Sequence, residues 1–157
     1  GQARNAVRAL DAIVWTVNPK NDVLAVTLSY LCQMAQDLTR DTEIRCRLEV
    51  PEELPDVALG AMVRHNLLLA VKEAVHNVIK HSAASVMRLR IECGADSFCL
   101  EVSDNGVAFD IATATNHRSG LDSMRQRMVD IGGAFNLISA PGNGTTVRFE
   151  IPTSAVQ

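Results

Sequence analysis

The sequence predicts an α/β fold, a two-layer sandwich in which helices cover one face of a mixed or antiparallel sheet. Segments with helical spacing and segments with strand-like alternation follow one another in the order ααβαββαββ. This order lacks the strict strand–helix alternation of a doubly wound parallel sheet. The 157 residues, 47% hydrophobic and 21% charged, suffice for one domain with a sizeable core.

Two helical segments come first. Residues 3–17 have apolar side chains at helical spacing and end at Asn18-Pro19, because proline disfavours helical geometry in the preceding residue. We expect Asp22 to cap the second helix. The apolar stripe of that helix comprises Leu24, Leu28, Leu31, Ala35 and Leu38.

The middle of the chain predicts one strand, the longest helix and a hairpin. Apolar and charged residues alternate over 44–50, as in a half-buried strand. Helical spacing then extends over 58–81. Strands are predicted at 85–93 and 98–103, separated by a turn at Gly94-Ala95-Asp96. The apolar stripe of the long helix comprises Val63, Leu67, Ala70, Val71, Ala74 and Val78.

The last third predicts a helix and two strands. The helix covers 121–131 and is followed by Gly132-Gly133, a pair suited to a left-handed C-cap. Strands at 134–139 and 145–151 flank the turn Pro141-Gly142-Asn143-Gly144.

Composition excludes several classes of partner. The net charge is −3 and no basic run occurs, so we expect no direct nucleic-acid partner. No apolar stretch approaches the roughly 20 residues that span a bilayer, so we expect this piece to lie in the cytoplasm and outside the membrane, even if the full-length protein is membrane-anchored. The first residue is Gly, which suggests part of a larger protein. The cysteines, expected to be buried thiols, are Cys32, Cys46, Cys93 and Cys99.

Familiar catalytic patterns are missing. No lysine follows a glycine-rich loop, no G-x-G-x-x-G follows a strand, and no serine lies in a G-x-S-x-G elbow. The histidines have no zinc-ligand spacing. They are His65, His76, His81 and His117.

One face of the long helix is polar. Its residues, spaced at i, i+3, i+4 and i+7, are Glu73, His76, Asn77 and Lys80. A carboxylate and an amide oxygen suit Mg²⁺, and a lysine one turn further on can meet phosphate charge. The alternative is a solvated helix face. The presence of Asn77 favours the interpretation as a functional site. Asparagine is a weaker helix former than the Glu, Lys or Arg expected on a solvent-exposed face without a function.

Two glycine-containing segments allow two interpretations each. Asn105-Gly106 is a strong hairpin signal, but Asp104 could instead accept a hydrogen bond from the exocyclic amine of a base while Gly106 lets the backbone approach a flat ring. The segment from Gly142 to Thr145 is a turn whose tip could also offer the threonine as a polar contact.

Four segments, together and in this order, resemble the ATP-binding catalytic domain of sensor histidine kinases, in the wider GHKL (Bergerat-fold) group. KEAVHNVIKHS, residues 72–82, looks like the N-box, and DNGVAFD, residues 104–110, looks like the first glycine box. SGLDSMRQRM, residues 119–128, looks like the segment after the ATP lid. GNGTTVRFEIP, residues 142–152, looks like the last glycine box.

The resemblance implies ATP and Mg²⁺ as cofactors and gives the N-box the catalytic roles. Asn77 would bind Mg²⁺, and Glu73 would orient a metal-bound water or act as a base. Lys80 and His81 would face phosphates. The reaction implied is transfer of the ATP γ-phosphoryl group to a histidine on a separate helical domain, by positioning and charge stabilisation.

The resemblance places the base pocket on the glycine boxes. Asp104 would accept a hydrogen bond from the adenine amine, Gly106 would line the pocket, and Thr145 would support Asp104 through water. The other nucleotide-binding positions that it implies are Ala108, Gly120, Leu121, Gly142 and Gly144.

The resemblance also implies a larger assembly. Residues 13–24 are similar to the stretch that joins dimerisation helices to the catalytic domain in the subfamily of nitrate sensors. We therefore expect residues 1–20 to be the end of a dimerisation or linker helix and residues 21–157 to be the catalytic domain. The expected partners are the helical phosphoacceptor domain of the same full-length protein, which would be a homodimer, and a response regulator.

Two departures from the family pattern motivate an alternative. Ala108 replaces the second glycine of D-N-G-x-G, and Arg118-Ser119-Gly120-Leu121 replaces G-H-G-L. The alternative is a degenerate module that binds nucleotide weakly or not at all and regulates a partner. A gyrase-like clamp and an anti-sigma serine kinase are less favoured, because the segment 110–120 is short and residues 13–24 resemble a kinase linker.

Overall fold

The computed structural model describes residues 23–107, 118–139, 142 and 144–153. The predicted order of elements is confirmed within these residues, whereas the helix predicted over 3–17 lies outside them. No helix in this part of the chain is long and apolar enough to cross a membrane. The elements are α1 (Leu24–Thr39), β1 (Arg45–Glu49), α2 (Ala61–His81), β2 (Val86–Cys93), β3 (Ser97–Asp104), α3 (Arg118–Asp130), β4 (Ala134–Ser139) and β5 (Thr145–Pro152).

The strands form one mixed sheet with the order β1-β2-β3-β5-β4. β1 and β2 pair in parallel, and α2 supplies the crossover that a parallel connection needs. The other neighbours pair antiparallel, with Asp104 at the end of β3 opposite Thr145 at the start of β5. The predicted fold class is confirmed.

The two faces of the sheet differ sharply. Alternate strand residues such as Leu89, Leu100 and Phe149 are buried in the core formed with the helices. The opposite face carries charged side chains, among them Arg148, whose Nη1 lies 2.8 Å from Oε1 of Glu101 on the neighbouring strand. Within residues 23–107 and 118–153 as far as they are described, helices therefore cover one face of the sheet, as the alternation in the sequence predicts.

The helices bury the stripes predicted for them. All six apolar stripe residues of α2 are buried, and in α1 the same holds for all except Leu38, which is half-buried. The predicted cap of α1 is wrong. Val23 occupies the N-cap position and makes no side-chain capping bond. The backbone N–H of Leu24 instead donates to the carbonyl of Val57 at 2.8 Å, and Val23 bridges Ala58, so neighbouring backbone takes the place that Asp22 was expected to fill.

The end of α3 confirms the predicted left-handed cap. Gly132 has a φ of +75° and donates to the carbonyl of Val129 at 3.0 Å. Gly133 donates to the carbonyl of Met128 at 2.7 Å. These two bonds form a Schellman motif, which satisfies carbonyls that the helix leaves unpaired. The chain therefore leaves α3 in a fixed direction and enters β4.

The cysteines are free thiols, and the prediction that they are buried is confirmed in full for Cys99 alone. Cys99 is buried and the other three are half-buried. Burial raises the pKa of each thiol above its ordinary value, so all four stay protonated near neutral pH.

The connection between α2 and β2 contains a strained residue. Ala83 has a φ of +52° and is exposed, and it is the one residue other than glycine with a positive φ in the described part of the chain. Left-handed backbone costs a residue with a β-carbon about 1–2 kcal/mol. The loop accepts this cost at the point where the chain turns from α2 towards the sheet.

We predict that Ala83→Gly stabilises the chain. Relief of the left-handed strain exceeds the about 0.4–1 kcal/mol by which glycine stabilises the unfolded chain through its entropy. The free energy of unfolding, measured by urea denaturation, should rise by on the order of 0.5 kcal/mol. Ala95→Gly is the matched control, because Ala95 is exposed in a turn without positive φ and should lose stability. Equal losses in both variants would contradict the prediction.

Candidate functional site

A cleft opens between the C-terminal half of α2 and the ends of β3 and β5. Five of the residues singled out in the sequence lie on its wall, although they come from four separate segments. They are Asn77, His81, Asp104, Leu121 and Thr145. The rest of the wall is mostly apolar and comprises Ala74, Val78, Ser82, Val102, Val107, Leu137 and Val147.

The polar face of α2 borders this cleft. Glu73, His76 and Asn77 are half-buried, which distinguishes them from a freely solvated helix face, whereas Lys80 is exposed. Burial lowers the pKa of His76, and the nearby Lys72 and Lys80 lower it further, so its imidazole is neutral near neutral pH. One turn of α2 therefore presents an amide, a carboxylate and a neutral imidazole, and of these three groups the amide of Asn77 lines the cleft.

Asp104 brings a carboxylate into the largely apolar cleft. Its Oδ1 accepts a hydrogen bond from the backbone N–H of Gly106 at 2.8 Å. Burial raises the pKa of the carboxyl group, and backbone hydrogen bonds from Gly106 and Thr145 oppose this shift. An acceptor held by two backbone donors in apolar surroundings can select a ligand that carries an N–H donor on a flat ring.

The loop after β3 is not the turn of a hairpin. Both edges of β3 are already paired, one with β2 and the other with β5, so no position next to β3 is left for a strand returning from Asn105-Gly106. The backbone N–H of Val107 instead donates to the carbonyl of Ser82 at 2.6 Å. The loop therefore packs against the end of α2.

Gly106 is needed at this contact. A β-carbon there would lie 2.7 Å from the carbonyl carbon of Ser82 and 2.9 Å from the backbone nitrogen of Ala84, closer than side-chain carbons pack. Gly106 is not among the residues that line the cleft. Close packing of two backbone segments thus explains why residue 106 is a glycine. A direct role of Gly106 in the base pocket stays a prediction.

Asn105 joins the same two loops, a role that the sequence analysis missed. Its Oδ1 accepts hydrogen bonds from the backbone N–H groups of Ser85 at 3.0 Å and Val86 at 2.9 Å. Its Nδ2 donates to Oγ of Ser85 at 2.9 Å. An asparagine directly after a strand signalled a polar contact to backbone, but the sequence could not show that the partner lies 20 residues earlier.

The last glycine box closes the site from the other side. Gly144 has a φ of +69°, and a β-carbon there would overlap the carbonyl of Asp104. Oγ1 of Thr145 lies 3.1 Å from Oγ of Ser139. The direct link from Thr145 to Asp104 runs through the backbone, and the predicted water-mediated support stays a prediction. Gly142 has a φ of +83° and faces open space.

The remaining predicted positions have three different outcomes. Glu73 packs against Gly120 in the first turn of α3, next to the cleft wall. Ala108 lies outside the described residues. Lys80 follows Asn77 by three residues on α2 and does not line the cleft; as a basic residue in the last turn it also interacts favourably with the helix dipole.

Known proteins share this fold. The blue-light activated histidine kinase of Erythrobacter litoralis EL346 superposes with a TM-score of 0.73 at 19% identity, over 98% of this chain and 50% of that chain. The ATP-binding domain of PrrB from Mycobacterium tuberculosis superposes with a TM-score of 0.63 at 23% identity, over 78% of this chain and 90% of that chain. At these identities the likeness shows the fold.

The sequence comparisons identify the class. Residues 62–155 match the family of histidine kinase-, DNA gyrase B- and HSP90-like ATPases, and the chain belongs to this family. Sensor protein VraS of Staphylococcus aureus strain COL is 26% identical over 117 residues, which are 74% of this chain and 34% of that protein. The chain is therefore an ATP-binding catalytic domain of the sensor histidine kinase type. The chain spans about a third of the length of the curated relatives that it matches.

We predict that Asp104→Asn is at least as stable as the unchanged chain at pH 7 in the absence of nucleotide. The asparagine oxygen can still accept the hydrogen bond from Gly106, while the cost of burying a charge disappears. Unfolding by urea measures the difference, with Asp96→Asn in an exposed turn as the control.

The pH dependence follows from the raised pKa of Asp104. On acidification, the folded chain takes up a proton at Asp104 before the unfolded chain does, so the unchanged chain gains stability relative to Asp104→Asn as the pH falls through the raised pKa. The difference in unfolding free energy between Asp104→Asn and the unchanged chain should therefore shrink towards about pH 4. A difference that grows on acidification would show that Asp104 is stabilised as a carboxylate.

Proposed function

We propose that this domain binds ATP with Mg²⁺ in the cleft and transfers the γ-phosphoryl group to a histidine on a separate helical domain. The observation that carries the proposal is the convergence of Asn77, Asp104 and Thr145, from three distant segments, on one apolar cleft. Family membership supports ATP as the ligand. Calorimetric titration with ATP and ADP, with and without Mg²⁺, tests it.

The base end of the cleft suits adenine. Asp104 offers a fixed acceptor, and the apolar side chains of Val78, Val102 and Val147 can cover the faces of a flat ring. Adenine presents an exocyclic amine as donor, whereas guanine presents a carbonyl oxygen at the corresponding position. The carboxylate therefore favours adenine nucleotides over guanine nucleotides.

The phosphate end suits a hydrated divalent ion. Mg²⁺ takes few protein ligands and keeps waters and phosphate oxygens around it, so one amide oxygen from Asn77 fits its usual donor set. When bound, Mg²⁺ neutralises charge on the phosphates. Glu73, one turn before Asn77 on the same half-buried face, is placed to orient water or accept a proton, while Lys80 and His81 follow towards the end of the helix and face phosphate charge.

The proposed acceptor and partners lie outside this chain. None of its four histidines is followed by an acidic residue, the pattern expected at the phosphoacceptor, so the chain should need a helical domain supplied in trans or in the full-length protein. From there the phosphoryl group would pass to an aspartate of a response regulator. The same proposal includes four further points. They are dimerisation, the assignment of residues 1–20 to a linker helix, a cytoplasmic location and membership of the nitrate-sensor subfamily.

The alternative is a degenerate module that regulates a partner without binding nucleotide. One of its two motivations, Ala108, lies outside the described residues, and the described cleft retains Asp104 as an acceptor and the amide of Asn77. The two functions give opposite calorimetric results. Saturable, Mg²⁺-dependent heat on titration with ATP supports the kinase, and the absence of such heat supports the degenerate module.

We predict that Asp104→Asn weakens ADP binding by on the order of 10- to 100-fold. The amide donor of the variant, if turned towards the ligand, opposes the adenine amine and leaves a buried group unpaired, which costs about 1–3 kcal/mol. Calorimetry with ADP and GDP measures the effect, with Asp96→Asn as the control. Equal losses for both nucleotides would show that Asp104 holds the loop and does not select the base.

We predict that Asn77→Ala abolishes the Mg²⁺ dependence of nucleotide binding and leaves the chain folded. Asn77 lies on the half-buried polar face of α2 and outside its apolar core stripe. Melting curves and ATP titrations at several Mg²⁺ concentrations measure both properties. Asn136→Ala, on the solvent-facing side of β4, is the matched control. Unchanged Mg²⁺-ATP affinity in a folded Asn77→Ala variant would remove the metal-ligand role.

A further inference from the structure

Two polar side chains of α2 contact α3. Nδ2 of Asn66, which is 7% exposed, donates a hydrogen bond to the carbonyl of Arg127 at 3.1 Å. The carboxylate of Glu73 packs against Gly120 in the first turn of α3. One contact therefore lies towards each end of α3.

The spacing of these contacts is the same on both helices. Asn66 and Glu73 are seven residues apart on α2, and Gly120 and Arg127 are seven residues apart on α3, which is about 10 Å along each axis. Because the earlier residue on α2 meets the later one on α3, the helices run antiparallel along this stretch. A shift of α3 along α2 would break both contacts together.

The contact at Gly120 leaves no room for a side chain. A β-carbon built there would overlap Oε1 of Glu73 and would lie 3.3 Å from its Cδ and 3.7 Å from its Cγ. Gly120 does not have a positive φ, so its backbone does not require glycine. The obstacle is the far end of a flexible side chain, so the structure can accept alanine by moving the carboxylate and leaving the helix in place.

We propose that Gly120 and Asn66 are positioning residues that fix the carboxylate of Glu73 beside Asn77. Gly120 leaves the space that the carboxylate occupies. Asn66 holds α3 at the matching distance through the Arg127 carbonyl. The catalytic consequence rests on the proposed function, in which Glu73 orients water or acts as a base.

The first test is Gly120→Ala, with Gly94→Ala as the matched control, because a β-carbon at Gly94 would make only an ordinary contact of 3.4 Å with the carbonyl oxygen of Ser97. We expect a melting temperature within about 3 °C of the control, since the carboxylate and not the helix moves. Phosphoryl transfer at saturating ATP, to a helical phosphoacceptor domain supplied in trans, should fall by about 10- to 100-fold. The KM for ATP should stay within about twofold of the value for the unchanged chain, because the substitution removes no contact that binds ATP in the ground state.

The second test combines Gly120→Ala with Glu73→Gln. Both changes act on the same carboxylate, so the double variant should transfer no more slowly than Glu73→Gln alone. If the fold-losses in transfer rate of the two single variants multiply in the double variant, the proposal is overturned. It is also overturned if Gly120→Ala transfers at the unchanged rate while Glu73→Gln is impaired. If the unchanged chain does not transfer, the proposed function fails, and if Glu73→Gln transfers normally, the catalytic role of Glu73 fails. In both cases the NMR measurement still decides the position of the carboxylate.

That measurement needs no nucleotide or acceptor. In the unchanged chain, a nuclear Overhauser contact should join the γ-methylene of Glu73 to the α-protons of Gly120, and it should disappear in Gly120→Ala. Asn66→Ala should weaken the same contact, whereas Thr39→Val, which loses a buried hydrogen bond on α1, should leave it unchanged. Absence of the contact in the unchanged chain, or its persistence in both site variants, overturns the proposal.

Discussion

Direct packing of backbone against backbone where three loops meet is the constraint on which the site depends. The loop after β3 lies on the carbonyl of Ser82 at the end of α2, and Gly144, before β5, lies on the carbonyl of Asp104. Neither approach leaves space for a β-carbon. These contacts bring the end of α2, which carries Asn77, close to the end of β3, which carries Asp104. The cleft therefore depends on the two glycines that permit the contacts.

The site contains two features that lower the stability of the fold. Asp104 is a carboxylate whose burial raises its pKa, and its backbone donors offset that cost only in part. Ala83 holds a left-handed backbone in the loop that packs against Gly106. Strain and a partly desolvated charge within one loop junction are common where a structure must hold a group ready for a ligand.

The position of α3 links this junction to the polar face of α2. The Schellman motif at Gly132 fixes where α3 ends, and Asn66 binds a carbonyl in its last turn. With that end held, its first turn meets Glu73. The geometry around the carboxylate thus depends on residues that touch neither a base nor a phosphate.

The sequence by itself determined the element order, the buried stripes of α1 and α2 and the glycine cap of α3, because periodicity and capping act over a few neighbouring residues. Its four boxes also selected five residues that the structure brings to one cleft. The partners of Asn105, the cap of α1 and the function of Gly106 were decided only in the tertiary structure. Each depends on backbone from a segment distant in the chain, and no local pattern records which segment arrives. For the same reason Asn105-Gly106 resembled a hairpin turn until β2 and β5 were seen to occupy both edges of β3.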